Sequence, residues 1–170
     1  MSHVPVMLNE CLEGLNPQVG HWYIDGTFGA GGHTQALLEQ NSNVLAIDQD
    51  QHVLETAQLF KNNYPTQFKS AQGNFRDLDR HAKEAGLEQV SGVLLDLGIS
   101  SMQIDNAERG FAFRQEGPLD MRMDRSSDSA SDIVNSLDQE DLAGIIYKYG
   151  EERYSRRIAR AIVEERKKQS

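Results

Sequence analysis

The spacing of apolar and polar residues changes several times along the chain, and each change marks an element. Trp22-Tyr23-Ile24-Asp25 is a short aromatic and β-branched run that stops in the glycine cluster Gly26-Thr27-Phe28-Gly29-Ala30-Gly31-Gly32. This predicts a strand, a glycine loop and then a helix from about Thr34 through Ala36, Leu37 and Leu38. Asn41-Ser42-Asn43 breaks that helix before a second strand, Val44-Leu45-Ala46-Ile47-Asp48, which completes a β-α-β unit. Asp50 is placed to cap a following helix that carries Val53, Leu54, Ala57 and Phe60 at helical spacing. Phe68 to Ala71 predicts a third strand and Asp77 to Ala85 a polar helix. Val93-Leu94-Leu95-Asp96-Leu97 predicts a fourth strand, buried on both faces as parallel sheets require.

Beyond Leu97 the rhythm stops. The segment from Gly98 to Ser131 is rich in Gly, Ser and Asp with little periodicity, which predicts a functional loop or a disordered stretch. Two helices follow. Ser136-Leu137-Asp138-Gln139 has the form of a capping box, and its helix carries Leu142, Ile145 and Ile146 up to a stop at Gly150. The last helix, from about Glu152, places Tyr154, Ile158, Ala161 and Ile162 on one face and Arg153, Arg157 and Arg160 on another.

Composition narrows this picture. The apolar fraction of 38% is modest, so the core must be concentrated in the few apolar runs. One cysteine, Cys11, excludes an internal disulfide framework. The first twenty residues have neither a basic leader nor a long apolar stretch, which predicts a cytosolic protein with no membrane partner. The net charge of −9 argues against sequence-independent grip on bare nucleic acid. The distribution changes that reading. From Lys148 onward eight Lys and Arg face four Glu, whereas the preceding residues hold nine against twenty-two, so an acidic body carries a basic tail.

In a doubly wound sheet the ligand binds at the carboxyl ends of the strands, and the chemistry-bearing residues cluster there. The glycine loop, with Asp25 before it and Gly29 within it, lets backbone approach a ligand, and Asp48 at the end of strand two is placed for ribose hydroxyls. That much suits NAD as well as S-adenosylmethionine. The third glycine of the dinucleotide fingerprint is replaced by Thr34. His33 either meets the ligand or is satisfied by a backbone group, and Phe75 either stacks on an adenine or fills core. Asp96, Ser100 and Ser101, with Gln103 beyond them, offer a carboxylate, hydroxyls and an amide suited to orienting an amine for transfer. The simpler alternative is that Asp96 caps a loop. Pro118 to Asp124 alternates apolar and charged residues, so in extended form it either closes over a site or forms an edge with a local ion pair involving Asp120 and Arg122. Arg153, Arg156, Arg157 and Arg160 either meet RNA phosphates or are a solvated face. No metal-ligand cluster is expected.

The motifs His3-Val4-Pro5-Val6-Met7-Leu8, Asp25 to His33, Asp96 to Ser101, Arg109-Gly110-Phe111, Gly117 to Asp124 and Tyr149-Gly150-Glu151-Glu152-Arg153 resemble the signature set of the RsmH (MraW) family, in order and over nearly the whole chain. The resemblance implies an α/β, Rossmann-like class I methyltransferase fold with an α-helical insertion. It implies a cofactor-binding core over residues 1–106 and a helical substrate-recognition domain over 107–170. It further implies that Gly31, Gly32, His33, Asp48, Phe75, Asp96 and Gln103 bind S-adenosylmethionine. The implied reaction is N4-methylation of a cytidine in 16S ribosomal RNA within the small ribosomal subunit, with Asp120, Arg122, Arg153, Arg157 and Arg160 toward the RNA. Where other amino methyltransferases place a proline pair and an aromatic, this chain has Leu97-Gly98-Ile99-Ser100, so stacking of the target base must come from elsewhere. The family continues past the insertion. The chain therefore reads as a truncated product with an incomplete parallel sheet and an apolar edge at strand four. It is expected to keep the pocket, to associate through that edge as a homodimer, and to have little or no turnover. A cofactor- and RNA-binding module without catalysis and an NAD-dependent oxidoreductase are the alternative functions.

Overall fold

The computed structural model describes residues 5–123 and 127–168, with the side chains of His52, Ser101 and Met102 outside that description. Two compact units divide the chain, Met1–Gly98 and Ile99–Ser170.

The first unit is built on β1 (Trp22–Asp25), β2 (Asn43–Asp48), β3 (Phe68–Gln72) and β4 (Gly92–Leu94), all parallel, in the order β3-β2-β1-β4. Between them run α1 (Leu8–Leu15, preceding β1), α2 (Gly32–Glu39), α3 (Leu54–Asn63) and α4 (Leu78–Glu84). Period-two alternation divides the core between the two faces of the sheet. Tyr23, Val44 and Ala46 pack with Leu37 and Leu38 of α2, Ala57 of α3 and the rings of Phe28 and Phe68. Ile24, Leu45 and Ile47 point the other way, onto Leu87 and the apolar side of α4. This is the expected Rossmann-like architecture, with β1 to β3 within a residue or so of where the sequence pattern puts them.

Strand four departs from expectation. It is three residues long, and only Leu94 is buried, while Val93 and Leu95 are 39% and 41% exposed and Leu97 is 67% exposed. The cause is the length of its neighbour. Because β1 ends at Asp25, the Gly26 N–H takes the Leu94 carbonyl (2.9 Å), and the Asp96 N–H donates instead to the Thr27 hydroxyl (2.7 Å), so the ladder has nothing to continue on. Val93 pairs with Ile24 on the α4 face, and α4 packs over β1 and β2 without covering β4. Asp50 is also not the cap of α3. A 3-10 turn over Gln51–Val53 intervenes, and Val53 occupies the N-cap position without a side-chain bond.

The second unit holds α5 (Ser101–Asp105), a 3-10 turn at Ala107–Arg109, α6 (Ala130–Ser136), α7 (Gln139–Gly150) and α8 (Ser155–Glu165). Its core is small: Leu142, Ala143 and Ala159 are buried, flanked by Ile133, Leu137, Ile146 and Ile162. Ser136 ends α6, so the capping box foreseen there does not form; Asp138 caps α7 through the Asp141 N–H (2.9 Å). The helix stops one residue later than foreseen, with Glu151 in the left-handed conformation. In α8 Ser155 and Ala159 are buried and Ile162 is partly buried, so of the apolar face expected from hydrophobicity Ile162 turns inward while Tyr154 and Ile158 stand exposed.

The described part of the loop before α6 folds around one buried cation. Arg109 is 2% exposed, and its guanidinium donates to the carbonyls of Arg122 and Met123 (both 2.9 Å). Gly110 and Gly117 allow the loop to fold back on itself, because a Cβ at either would strike the backbone of Pro118 or Ala107 respectively. Residues 118–123 are accordingly not a strand. Met121 has a φ of 60° and donates its N–H to the Arg109 carbonyl (3.0 Å), which breaks the alternation that an edge strand needs. Asp124 of the same motif, and His3 and Val4 of the N-terminal one, lie outside the described residues.

Candidate cofactor site

β1 runs straight into the glycine loop, and two carboxylates hold that loop in place. Asp25 is buried at the end of β1. One of its oxygens accepts the Thr27 N–H (3.1 Å) and the other the Thr34 hydroxyl (2.7 Å). Burial raises its pKa above the usual carboxylate value, against the lowering effect of those bonds. Asp48, at the end of β2, accepts the Gly29 N–H (2.8 Å) on one oxygen and the Asp50 N–H (2.9 Å) on the other. Partial burial raises its pKa as well. The Gln49 N–H also bonds this carboxylate, and of its roughly four acceptor sites some capacity remains for a hydroxyl donor.

The glycines owe their identity largely to packing within the protein. Gly31 is left-handed (φ 80°), and a Cβ there would lie 2.7 Å from the Phe60 ring and 2.9 Å from Phe28. A Cβ on Gly32, the first residue of α2, would strike Pro5. Gly29 (φ 49°) is the open one, with only the Thr27 carbonyl near, at 3.9 Å. His33 is buried, and its Nε2 lies 3.1 Å from the Val6 carbonyl, which is the backbone partner foreseen as its simpler role.

β3 and β4 complete the edge. Phe75 lies in a 3-10 turn just after β3, half-buried, against the Gly26 backbone, and belongs to neither core cluster. Asp96 stands exposed after β4 with its N–H on Thr27. The first unit thus gathers Asp25, Gly29, Asp48, Phe75 and Asp96 at the carboxyl ends of its strands. Ser100 and Gln103 belong to the second unit and serve each other in a capping box: the Gln103 N–H donates to Ser100 Oγ (3.2 Å) and the Ser100 N–H to Gln103 Oε1 (3.0 Å). Ser101 opens α5, and its side chain lies outside the described atoms.

Three residues to which sequence reasoning assigned no structural role in the site tie it together. Thr27 bridges the first loop to the end of β4, and Thr34, sitting where a dinucleotide site has its third glycine, is fully buried on Asp25. Asn74 donates to Gln49 (3.0 Å), joining the loops after β2 and β3. The available signal was a short polar residue just after a strand end, or in the first turn of the helix that follows.

A family model, the MraW methylase family, matches residues 1–170. The chain belongs to the MraW methylase family. Among its relatives, the ribosomal RNA small subunit methyltransferase H of Deinococcus radiodurans is 49% identical over 167 residues, 98% of this chain and 53% of that protein. The protein of the same name from Rickettsia massiliae is 50% identical over the same shares. The chain therefore spans about half the length of the curated relatives it matches. The C-terminal domain of precorrin-6Y C5,15-methyltransferase from Rhodobacter capsulatus aligns with 56% of the chain and 50% of its own at a TM-score of 0.45 and 20% identity, too loose a likeness to bear on function.

On the helical unit of this family member, Asp120 and Arg122 bind one another through a two-pronged ion pair (2.8 and 2.9 Å). Arg160 pairs with Glu164 (3.0 Å), and Arg156 with Glu140 (3.7 Å). Arg153 and Arg157 lie over the Tyr154 ring, 4.7 and 5.7 Å from its centroid. No helix among the described residues is long and apolar enough to cross a membrane.

Proposed function

We propose that this chain carries the S-adenosylmethionine-binding part of a cytoplasmic enzyme that methylates the N4 amine of a cytidine in 16S ribosomal RNA within the small ribosomal subunit. Residues 1–106 supply the cofactor core and 107–170 the substrate-recognition part. The observation that carries this reading is the set of acidic strand ends around a glycine loop in which the Gly29 and Gly31 amides are already engaged. Gly29 gives its N–H to Asp48 and Gly31 gives its N–H to the Phe28 carbonyl (2.8 Å). A pyrophosphate would compete for those amides and would lie beside the Asp48 and Asp96 carboxylates, with Asp25 buried beneath the loop, so the edge disfavours NAD. A cationic cofactor suits it, since a positive charge nearby restores the ionised form that burial disfavours.

In this reading Asp48 receives the ribose hydroxyls on its remaining lone pairs and Phe75 gives a face to the adenine. Gly31, Gly32 and His33 fix the turn beside them. The cofactor supplies an electrophilic methyl on a sulfonium centre. Asp96 accepts a hydrogen of the target amine, which leaves the nitrogen lone pair free to attack, and takes or passes to water the proton released. Ser100 and Ser101 complete the amine's hydrogen bonds, Gln103 contributes to holding the cofactor, and Asp120, Arg122, Arg153, Arg157 and Arg160 hold the RNA.

Calorimetric titration tests the cofactor half. S-adenosylmethionine is expected to bind and NAD not to bind. Asp48→Ala should weaken S-adenosylmethionine at least ~10-fold, since it removes the acceptor of two charge-assisted hydrogen bonds. Tighter binding of NAD, or an Asp48→Ala variant that binds as the parent does, would overturn the reading.

A further inference from the structure

Exposed aromatics are unevenly shared along this chain. Tyr23 is buried in the sheet, whereas Tyr147 and Tyr154 are 65% and 51% exposed on the α7–α8 hairpin. Both line one cleft of about 540 Å³, together with Ala143, Gly144, Arg153 and Arg157. That volume lies within the range of pockets that hold a small ligand, roughly 300–1,000 Å³. Its floor is made of small residues: Ala143 and Ser155 are buried, and a Cβ on Gly144 would meet nothing within 4 Å.

The cations around the cleft divide into two kinds. Arg156, with Glu140 at 3.7 Å, and Arg160, with Glu164 at 3.0 Å, have carboxylate partners. Arg153 and Arg157 form no ion pair among the described residues and instead lie over the Tyr154 ring. A guanidinium plane is itself a stacking surface for a base and a donor to phosphate. The cleft therefore combines aromatic faces, two uncompensated guanidinium groups and an open floor. An acidic peptide would use the charges and leave the rings idle, and a duplex keeps its base faces covered. A base already out of its stack uses both.

We infer that the cleft between α7 and the start of α8 seats one unstacked nucleotide of single-stranded RNA, with its base on Tyr147 and Tyr154 and its phosphates on Arg153 and Arg157. This rests on the RNA-methylating function proposed above. It adds that the strand is held by a splayed base as well as by charge.

The decisive variant is Gly144→Leu. It fills the cleft from its floor without altering any charge, and leucine favours a helix interior over glycine, so the hairpin is retained. Binding of fluorescently labelled oligonucleotides to the 170-residue chain would be followed by anisotropy. Four probes of eight units are compared: single-stranded oligocytidine, an abasic oligomer of the same length, a duplex and polyglutamate. The single strand is expected to bind at least ~10-fold more tightly than any of the others. Gly144→Leu should bring it down to the abasic level while leaving the slope against salt unchanged, and Tyr154→Ala should do the same by removing a ring. If Gly144→Leu binds oligocytidine as the parent does, or the abasic oligomer or polyglutamate binds as tightly as the single strand, the nucleotide seat is overturned while charge-based RNA binding stands. If the parent chain binds no RNA at all, the RNA part of the proposed function falls with it, and S-adenosylmethionine titration of the same sample reports separately on the cofactor part.

Discussion

Asp25 and Arg157 are both ionisable and both enter the proposed function, yet one is 1% exposed at the end of a strand and the other stands in solvent on a helix. The sheet unit makes its site by burial. Its carboxylates are fixed by the Thr27 and Gly29 amides and by the Thr34 hydroxyl, and their protonation is disturbed by loss of water. The helical unit makes its surface by exposure, keeping Arg153 and Arg157 over a tyrosine ring and, among the described residues, without a carboxylate partner. A small cationic ligand gains from a dry, preorganised socket, whereas a long polyanion gains from charges that remain reachable. The two designs place different demands on the core beneath them.

The largest expected contrast is therefore in packing. Leu37 is fully buried between α2 and the sheet, so Leu37→Ala should cost about 3–5 kcal/mol, a transfer loss plus a cavity that the surrounding rings cannot close. Leu142→Ala, in a core of three buried residues, should cost nearer ~2 kcal/mol because the hairpin can relax. Urea denaturation read by the fluorescence of Trp22, the one tryptophan and part of β1, follows the first; helical circular dichroism follows the second. Equal costs would show that the helical unit is as tightly packed as the sheet.

How far each unit could be read from its sequence follows the same division. β1, β2 and β3 were legible because their period-two and aliphatic patterns are local, and the strand-end acids Asp25, Asp48 and Asp96 followed from the rule that sites form there. The length of β4 was not legible, since it depends on where β1 stops. Nor was the phase of α8. Its small residues Ser155 and Ala159 face the core because α7 approaches closely there, while the larger Tyr154 and Ile158 remain outside. Arg109 and Thr34 hid for another reason. A buried polar residue is recognised by its partners, here the carbonyls of Arg122 and Met123 and the Asp25 carboxylate, and these are distant in sequence.

The burial of Asp25 predicts a pH signature that the helical unit should lack. Its folded-state pKa is raised above the ordinary value of 3.8, so across the window upward from there the folded chain keeps a proton that the unfolded chain has released. Stability contributed by this group is therefore highest on the acid side, falls as pH rises through the window, and levels off above the folded pKa. Asp25→Asn keeps both bonds, with its oxygen accepting the Thr27 N–H and its amide donating to the Thr34 hydroxyl, and carries no charge. Subtracting its pH–stability curve from the parent's should leave a component that declines with rising pH. A flat difference would mean that Asp25 is not desolvated in the folded state.

The smallest effect on stability should come from Arg160, and it tests the other side of the comparison. Its pair with Glu164 lies on the helix surface, with side chains 70% and 58% exposed. Such pairs contribute about 0–1 kcal/mol, so Arg160→Ala should leave the melting curve nearly unchanged. Its effect on oligonucleotide binding should be a uniform weakening across sequences and a salt slope reduced by about one, as for loss of one phosphate contact. Arg160 already has a carboxylate beside it, so this loss should be smaller than that of Arg157→Ala, whose guanidinium rests on a ring and has no ion pair among the described residues. An Arg160→Ala loss equal to that of Arg157→Ala would place the RNA along the whole α8 face and remove the distinction between paired and unpaired cations on which the exposed design rests.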